Sequence, residues 1–426
     1  MAATTSTVSA ILKRFYRSKP EDGLNKQVPF FSALEEAKAS EVDMGGEDFR
    51  WLVRSKRSGG VGAIGELATL PTAGNQTYVQ ANETSTEVYG RLKISQKLMD
   101  RSSRDSFAFM RGLEMEVTGL EEELRWSVGR QLIGNKVAAV GDHTVTRTGV
   151  IAQIETGATG TSWDVDGGFA FHLYPGMKLR VGTAAEIAGD SHVDVVVSSI
   201  SDYNTFVSTA SVTLVADDLV TVGDANYVSY QQELKGLAFA VDDEDTHHGV
   251  APGTHPVWKS VVNANSGTAR PMTHELMDAM PDMIFDSGGE RPDYITGHSV
   301  TCRTVKQQLE ADVRYAPFEF KGGYKRKRGL TWNNGEDDVP IVADRHVPYG
   351  ATTGKLYFLT MKCIKLGYEA KFRWLDADGA RLSRIQNQAG YEATYGADMQ
   401  LLCLQRNTCG LLDDIKIKAS LAAVPA

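Results

Sequence analysis

The chain has 426 residues, room for about three domains or one large domain with insertions. Hydrophobic residues make up 42% and charged residues 23%, which excludes bulk disorder and collagen-like architecture. Lys and Arg number 45 against 54 Asp and Glu, and the formal net charge of −9 argues against a protein that coats nucleic acid over its whole surface.

No stretch approaches 18 uninterrupted apolar residues, so no transmembrane helix is read. The N-terminus is polar and then basic, the wrong order for a secretory signal. Cys302, Cys363, Cys403 and Cys409 form no CxxC and make a poor disulfide framework and a poor zinc site. Buried reduced thiols are expected.

Residues 1–48 read as an arm. Lys13, Arg14, Arg17 and Lys19 lie in its first 20 residues with no acid among them. Val8, Ile11, Leu12, Phe15 and Tyr16 fall at helical spacing. Contact with a neighbouring chain or nucleic acid, and a solvated terminal helix, fit this pattern equally.

Residues 49–94 read as one long hairpin. FRWLVRSKRS is the outgoing strand, a Gly-rich tip follows, and TYVQANETSTEVYGRLKIS returns with alternation through Tyr78, Val88, Leu92 and Ile94. The outgoing strand carries Arg50, Arg54, Lys56 and Arg57, and the return carries Glu83 and Glu87. A two-stranded ribbon is marginal alone in water, so it must lie on something, either another subunit or its own domain.

Residues 95–140 contain the strongest helical pattern. Ser103 is the expected N-cap, and Met110, Leu113, Val117, Leu120, Leu124, Val128 and Leu132 step by three and four to residue 133. Glu121, Glu122 and Glu123 supply polar positions. In residues 141–230 that period disappears, and short β-rich runs separated by turn residues predict a small barrel or sandwich. Three bases against eleven acids give this segment a charge of −8, leaving −1 for the other 336 residues. Residues 231–270 form a connector. Residues 271–395 alternate helix and strand, beginning with a helix capped by Thr273, and 396–426 supply closing strands, an α+β pattern.

Catalytic signatures are lacking: there is no GxGxxG, Walker A, HExxH or GxSxG. Asp242, Asp243, Glu244, Asp245, His247, His248 and His255 are dense in metal-ligating types. Their consecutive acids diverge in any regular conformation, so a solvated acidic loop is expected, with no metal or cofactor. His298 and Ser299 are adjacent, and a helix-capping turn is expected there in place of a nucleophile and base. The basic run Lys321, Lys325, Arg326, Lys327 and Arg328 reads equally as a partner contact and as a free surface loop.

The order of arm, unsupported hairpin, long helix, inserted β-module, α/β domain and closing strands resembles the major capsid proteins of tailed bacteriophages, the Hong Kong 97-type fold. FRWLVRSKRS through RLKIS looks like that family's E-loop, and SRDSFAFMRGLEMEVTGLEEELRWSVGRQLIGN looks like its spine helix in the peripheral domain. PMTHELMDAMPDMIFDSGGERPDYITGHSVTCRTVKQQL is similar to the opening of its axial domain, and YEATYGADMQLLCLQRNTCGLLDDI to its returning strands. The resemblance leaves out residues 141–230, which have no counterpart in the minimal fold.

The resemblance implies a non-enzymatic structural protein that assembles as hexamers and pentamers into an icosahedral head around double-stranded DNA. The E-loop reaches across a neighbour, where Arg50, Arg54, Lys56 and Arg57 meet acids such as Glu121, Glu122 and Glu123, and Glu83 and Glu87 on its return are further candidates for contact between subunits. Portal and scaffolding proteins, and possible decoration proteins, are the expected partners, with weak non-specific DNA contact and no membrane. A 48-residue arm is too short for the family's cleaved scaffolding segment, and Met1 argues against processing. The location implied is the virion, assembled in the host bacterial cytoplasm. Lys56 with Asn387 or Asn407 lacks a motif for the isopeptide crosslink of some members. The acidic module is expected on the outside of the shell, away from repulsion by DNA phosphates, and the basic arm on the inner side or beneath a neighbour. An encapsulin-like compartment is the first alternative. A carbohydrate-active enzyme is more remote, since no carboxylate pair is evident.

Overall fold

The computed structural model describes residues 28–36, 42–43, 48–66, 68–97, 112–135, 148–165, 170, 172–189, 191–202, 204–224, 227–309, 330–333, 337–350, 352–376 and 382–417. The arm helix around Val8–Tyr16, Ser103 and the basic run at 321–328 lie outside them. The chain divides into two compact units. The smaller includes described residues 89–97, 112–125, 372–376 and 382–396, and the larger takes the rest. The ribbon, the β-module and residues 271–371 of the α/β segment fall within the larger unit, whereas the end of that segment falls in the smaller one, a division that differs from the segments read from sequence.

The first described helix, α1 (Pro29–Glu36), lies in the segment read only as an arm. Pro29 opens it, where a missing N–H costs nothing. The Phe30 N–H donates to Asp344 Oδ2 at 3.1 Å, and Phe30, Phe31 and Leu34 are buried. Helix α2 (Gly112–Ile133) is the described part of the predicted long helix. It buries Leu124, Val128 and Leu132 at the predicted spacing, and Ile133 beside them. A Cβ at Gly129 would lie 1.9 Å from Val28 Cγ1, so glycine is what lets the segment entering α1 touch the helix backbone. Arg130 also holds Glu233 in a buried bidentate pair, with Nη1 to Oε2 at 2.9 Å.

The predicted hairpin differs from the observed one. Strand β2 (Phe49–Lys56) pairs antiparallel with β3 (Thr77–Glu83), from Phe49↔Glu83 to Lys56↔Thr77. The return is then interrupted, and β4 (Thr86–Ser95) joins another sheet. That sheet holds β1 (Val42–Asp43), β17 (Ile364–Trp374), β19 (Gly390–Cys403) and β18 (Ser383–Arg384) in that order, with β4 also on β19. The interruption changes the alternation. Val88, Leu92 and Ile94 are buried as read, whereas Tyr78 is exposed. In the smaller unit Leu92, Ile94 and Ala393 form a core against Val117, Leu120, Trp374 and Leu382.

Residues 150–228 form a seven-stranded sheet from β5 (Val150–Gln153), β6 (Ala158–Asp164), β7 (Lys178–Gly182), β8 (Val193–Ile200), β9 (Thr205–Leu214), β10 (Leu219–Asp224) and β11 (Tyr227–Val228). The order is β11-β10-β7-β8-β9-β6, with β5 also on β10. An antiparallel bridge, Ile154↔Val165, joins the ends of β5 and β6 and closes the circuit as a small barrel. Trp163, Leu179, Val181, Val195, Val197 and Phe206 fill its core. The Ala-Thr-Gly-Thr-Ser composition of β6 lacks the apolar alternation of its neighbours and gives little strand signal in the sequence. The module also includes α3 (Ala184–Ala188), with a Thr183–Glu186 capping box.

After α4 (Leu237–Ala240), the α/β segment contains a six-stranded mixed sheet. Its order is β12 (Val261–Asn263), β20 (Gly410–Lys416), β16 (Thr353–Leu359), β13 (Tyr294–Gly297), β15 (Asp338–Ala343) and β14 (Leu330–Asn333). Helix α5 (His274–Gly288) buries Met277, Met280 and Ile284 against it, and α6 (Ser299–Leu309) contributes Val305. Thr273 caps α5 as read, its Oγ1 accepting from Leu276 N–H at 3.2 Å. His298 caps α6, its Nδ1 accepting from Val300 N–H at 3.3 Å while the ring stacks on Tyr349. All four cysteines are free thiols.

Candidate subunit interface

Strand alternation gives the β2–β3 ribbon two chemically distinct faces. Trp51 and Val53 on β2, with Val79 and Ala81 on β3, pack against Val250 and Trp258 of the same chain. The opposite face presents Arg50, Leu52, Arg54 and Lys56 beside Tyr78, Gln80 and Asn82, all exposed. The register sets Arg50 opposite Asn82, Leu52 opposite Gln80 and Arg54 opposite Tyr78. This outward face carries no acid, and Leu52 is 70% exposed in its middle. Arg57 continues the basic row, and Arg50 also donates to Asp48.

Beyond the strands the tip narrows through a backbone neck. Ser58 Oγ donates to the Gly74 carbonyl at 2.9 Å, and a Cβ at Gly74 would lie 2.6 Å from Gly59 N. Past the neck, Val61 is 89%, Ile64 49% and Leu70 75% exposed. Covering each fully is worth about 1.5–3 kcal/mol before the costs of association.

The foot of the ribbon is fixed differently from the reading of Glu83 as a contact to a neighbour. Glu83 is 7% exposed and is held by Lys235 Nζ at 2.8 and 2.9 Å and by His248 Nδ1 at 2.9 Å. It is therefore engaged within its own chain and leaves the set of candidate contacts. His248 Nε2 accepts from Cys403 N–H at 3.2 Å, a donor that cannot reverse, so Nδ1 carries the proton given to Glu83. Burial raises the Glu83 carboxyl, but His248 and Lys235 outweigh it and hold the group below its usual range. Burial lowers His248, with Glu83 opposing, and lowers His247 well below the ordinary imidazole value. Asn82 N–H donates to the His248 carbonyl at 3.1 Å, and the Trp51 ring meets His248 edge-on at 4.9 Å.

Sequence reasoning missed Lys235 and treated His248 as part of a solvated loop. The available signal was parity: Glu83 shares the inward face with Val79 and Ala81.

Glu87 is exposed on β4. Glu121 and Glu123 are exposed on α2, and Glu122 is half-buried. Lys13, Arg14, Arg17 and Lys19 lie outside the described residues. Of the nominal crosslink acceptors, Asn387 is exposed in a turn at φ +60°, whereas Asn407 is buried and donates to the Ser287 carbonyl at 2.9 Å. Asp242 accepts from the N–H groups of Glu244 and Asp245, a turn-capping use of a residue read as solvated. Beside it Arg406, fully buried, donates to the carbonyls of Phe239, Ala240 and Asp245. Among the described residues no three His, Cys, Asp or Glu side chains are grouped to hold a metal, and no helix is long and apolar enough to cross a membrane.

A thin ribbon with a long helix, a mixed α/β sheet and a sheet of returning strands is the Hong Kong 97-type capsid fold, and this chain has it. Its structure is similar to the capsid asymmetric unit of cyanophage A-1(L), at TM-score 0.55 and 12% identity over 97% of this chain and 99% of that one. The capsid of a native GTA particle matches at TM-score 0.53 and 10% identity, over 98% and 100% of the two chains. The holo-SrpI encapsulin complex from Synechococcus elongatus PCC 7942 matches at TM-score 0.51 and 10% identity, over 98% and 97%. No protein-family profile and no curated protein matches the sequence.

Proposed function

We propose that this chain is the major capsid protein of a tailed bacteriophage, a structural subunit that assembles into the icosahedral head enclosing double-stranded DNA. The observation that carries the reading is the ribbon. On a fold shared with capsids, it holds an apolar tip in water and a basic, acid-free face turned from its own core. A neighbouring copy supplies the cover, and its exposed Glu121 and Glu123 carry the charge opposite to that of Arg54, Lys56 and Arg57. Single surface ion pairs contribute about 0–1 kcal/mol each, so their role is orientation, repeated at every copy. Hexamers and pentamers, a portal, a scaffolding protein and decoration proteins belong to this proposal. So do a virion location after cytoplasmic assembly, an outward acidic β-module and an inward arm bearing Lys13, Arg14, Arg17 and Lys19.

The encapsulin likeness supports a second reading, a bacterial compartment shell holding enzymes. Electron microscopy of the purified chain tests both. Closed shells, with nucleic acid inside particles recovered from the native source, support the capsid reading. Shells enclosing protein cargo favour the compartment. A monomer at all concentrations overturns both.

A further inference from the structure

We propose that strand β6 of the barrel is an edge for pairing with β6 of a second copy, an antiparallel contact centred on Gly160. The inference rests on the shell reading above, which places copies side by side.

β6 pairs with β9 along one side. Among the described residues its other side is tied only at its end, by Glu155 N–H to the Asp164 carbonyl at 2.9 Å and by the Ile154↔Val165 bridge just beyond. Ala158, Thr159, Thr161 and Ser162 are exposed, and a Cβ at Gly160 would meet no atom within 4 Å. A strand paired on one side turns alternate N–H and C=O groups outward, and such edges recruit other strands unless charge, proline or brevity protects them. From Thr156 to Trp163 this edge has no charge and no proline, inside a segment whose charge is −8. The register jump in the β6–β9 pair comes from the four residues Ser208–Ser211 of β9, so β6 itself stays extended over seven residues.

The occupant follows from the strand's self-complementarity. With Gly160 opposite Gly160, Thr159 faces Thr161 and Ala158 faces Ser162 of the second copy. Threonine pairs are favourable cross-strand neighbours. The flanking acids do not meet: Asp164 falls level with Thr156 and Glu155 level with Val165. A two-fold contact of this kind is isologous and closes on itself.

Gly160→Cys in the assembled particle tests the contact. Directly opposed residues of an antiparallel pair have Cα atoms about 4.5–5.5 Å apart, within disulfide reach. Mild oxidation with a copper–phenanthroline reagent is expected to give a disulfide-linked dimer on a non-reducing gel. Thr213→Cys, on the interior neighbour β9, is expected to stay monomeric. Particles that form while Gly160→Cys stays monomeric overturn the pairing and leave the shell reading standing, whereas absence of particles strikes the shell reading first. If Gly160→Cys does not fold, hydrogen exchange of 158–163 in the unaltered chain is decisive. Slower exchange in particles than in dissociated subunits supports the contact, and equal exchange overturns it. Protection that appears only when another protein is added also overturns it, in favour of a foreign strand.

Discussion

Glu83→Gln probes how the ribbon is anchored. The substitution keeps the shape and one carbonyl acceptor but removes the charge that Lys235 and His248 share. Breaking a fully buried ion pair costs about 3–5 kcal/mol. The Lys235 side chain is 29% exposed and regains water, so the expected loss is about 2–3 kcal/mol. The assay is urea unfolding of dissociated subunits, joined to hydrogen exchange at Asn82, whose N–H bonds to the His248 carbonyl. The variant is expected to lower the unfolding free energy by that amount and to speed exchange at Asn82. Adding Lys235→Met to Glu83→Gln is expected to return part of the loss, because the stranded ammonium is then gone. An unfolding free energy within about 0.5 kcal/mol of the parent, with unchanged exchange, refutes the anchor.

Three further outcomes are expected. Gly129→Ala forces Val28 Cγ1 away from a contact of 1.9 Å and lowers stability by about 1–3 kcal/mol, and Val28→Ala in the same chain restores most of it in thermal melts. Reversing charge at Arg54, Lys56 and Arg57 to Glu leaves subunit circular dichroism unchanged but blocks particle formation in light scattering; unimpaired assembly removes the basic face from the interface. Subunit stability falls as pH drops below 6.5, because the unfolded chain takes up protons that buried His247, His248, His298 (pushed down to about 4) and His346 (about 3) refuse. Asp344, raised by burial, works in the opposite sense, and Glu83 adds to the loss below its ordinary value of 4.5. A flat unfolding profile from pH 6.5 to 4 contradicts neutral burial of the imidazoles.

Periodicity exposed much of this fold. The buried positions of α2, the barrel strands β5, β7, β8 and β10 and the Thr273 cap follow from spacing and turn chemistry, which act locally. What stayed hidden depends on distant partners. β6 is a strand because β9 pairs with it, though its own residues show little strand preference. Helix α1 draws its cap from Asp344, 314 positions away from Phe30. Glu83 was read as surface because a carboxylate usually is, and only Lys235 and His248 make its burial tolerable. The ribbon's two faces were legible from alternation, whereas the end of the ribbon after Glu83 was not, since Thr84 and Ser85 fit a continuing strand equally well.

The packing of β2 and β3 against their own chain stops at the paired Val53 and Val79, and this has a mechanical consequence. From Val53 to Val61 is eight residues, a reach of up to roughly 26 Å at about 3.3 Å each. A tilt of about 10° at that pair sweeps the exposed end through roughly 4–5 Å, the spacing between neighbouring strands. Small adjustments at Val53 and Val79 are thus geared into strand-sized displacements at the apolar tip; in the proposed shell they let identical chains fit neighbours at slightly different angles.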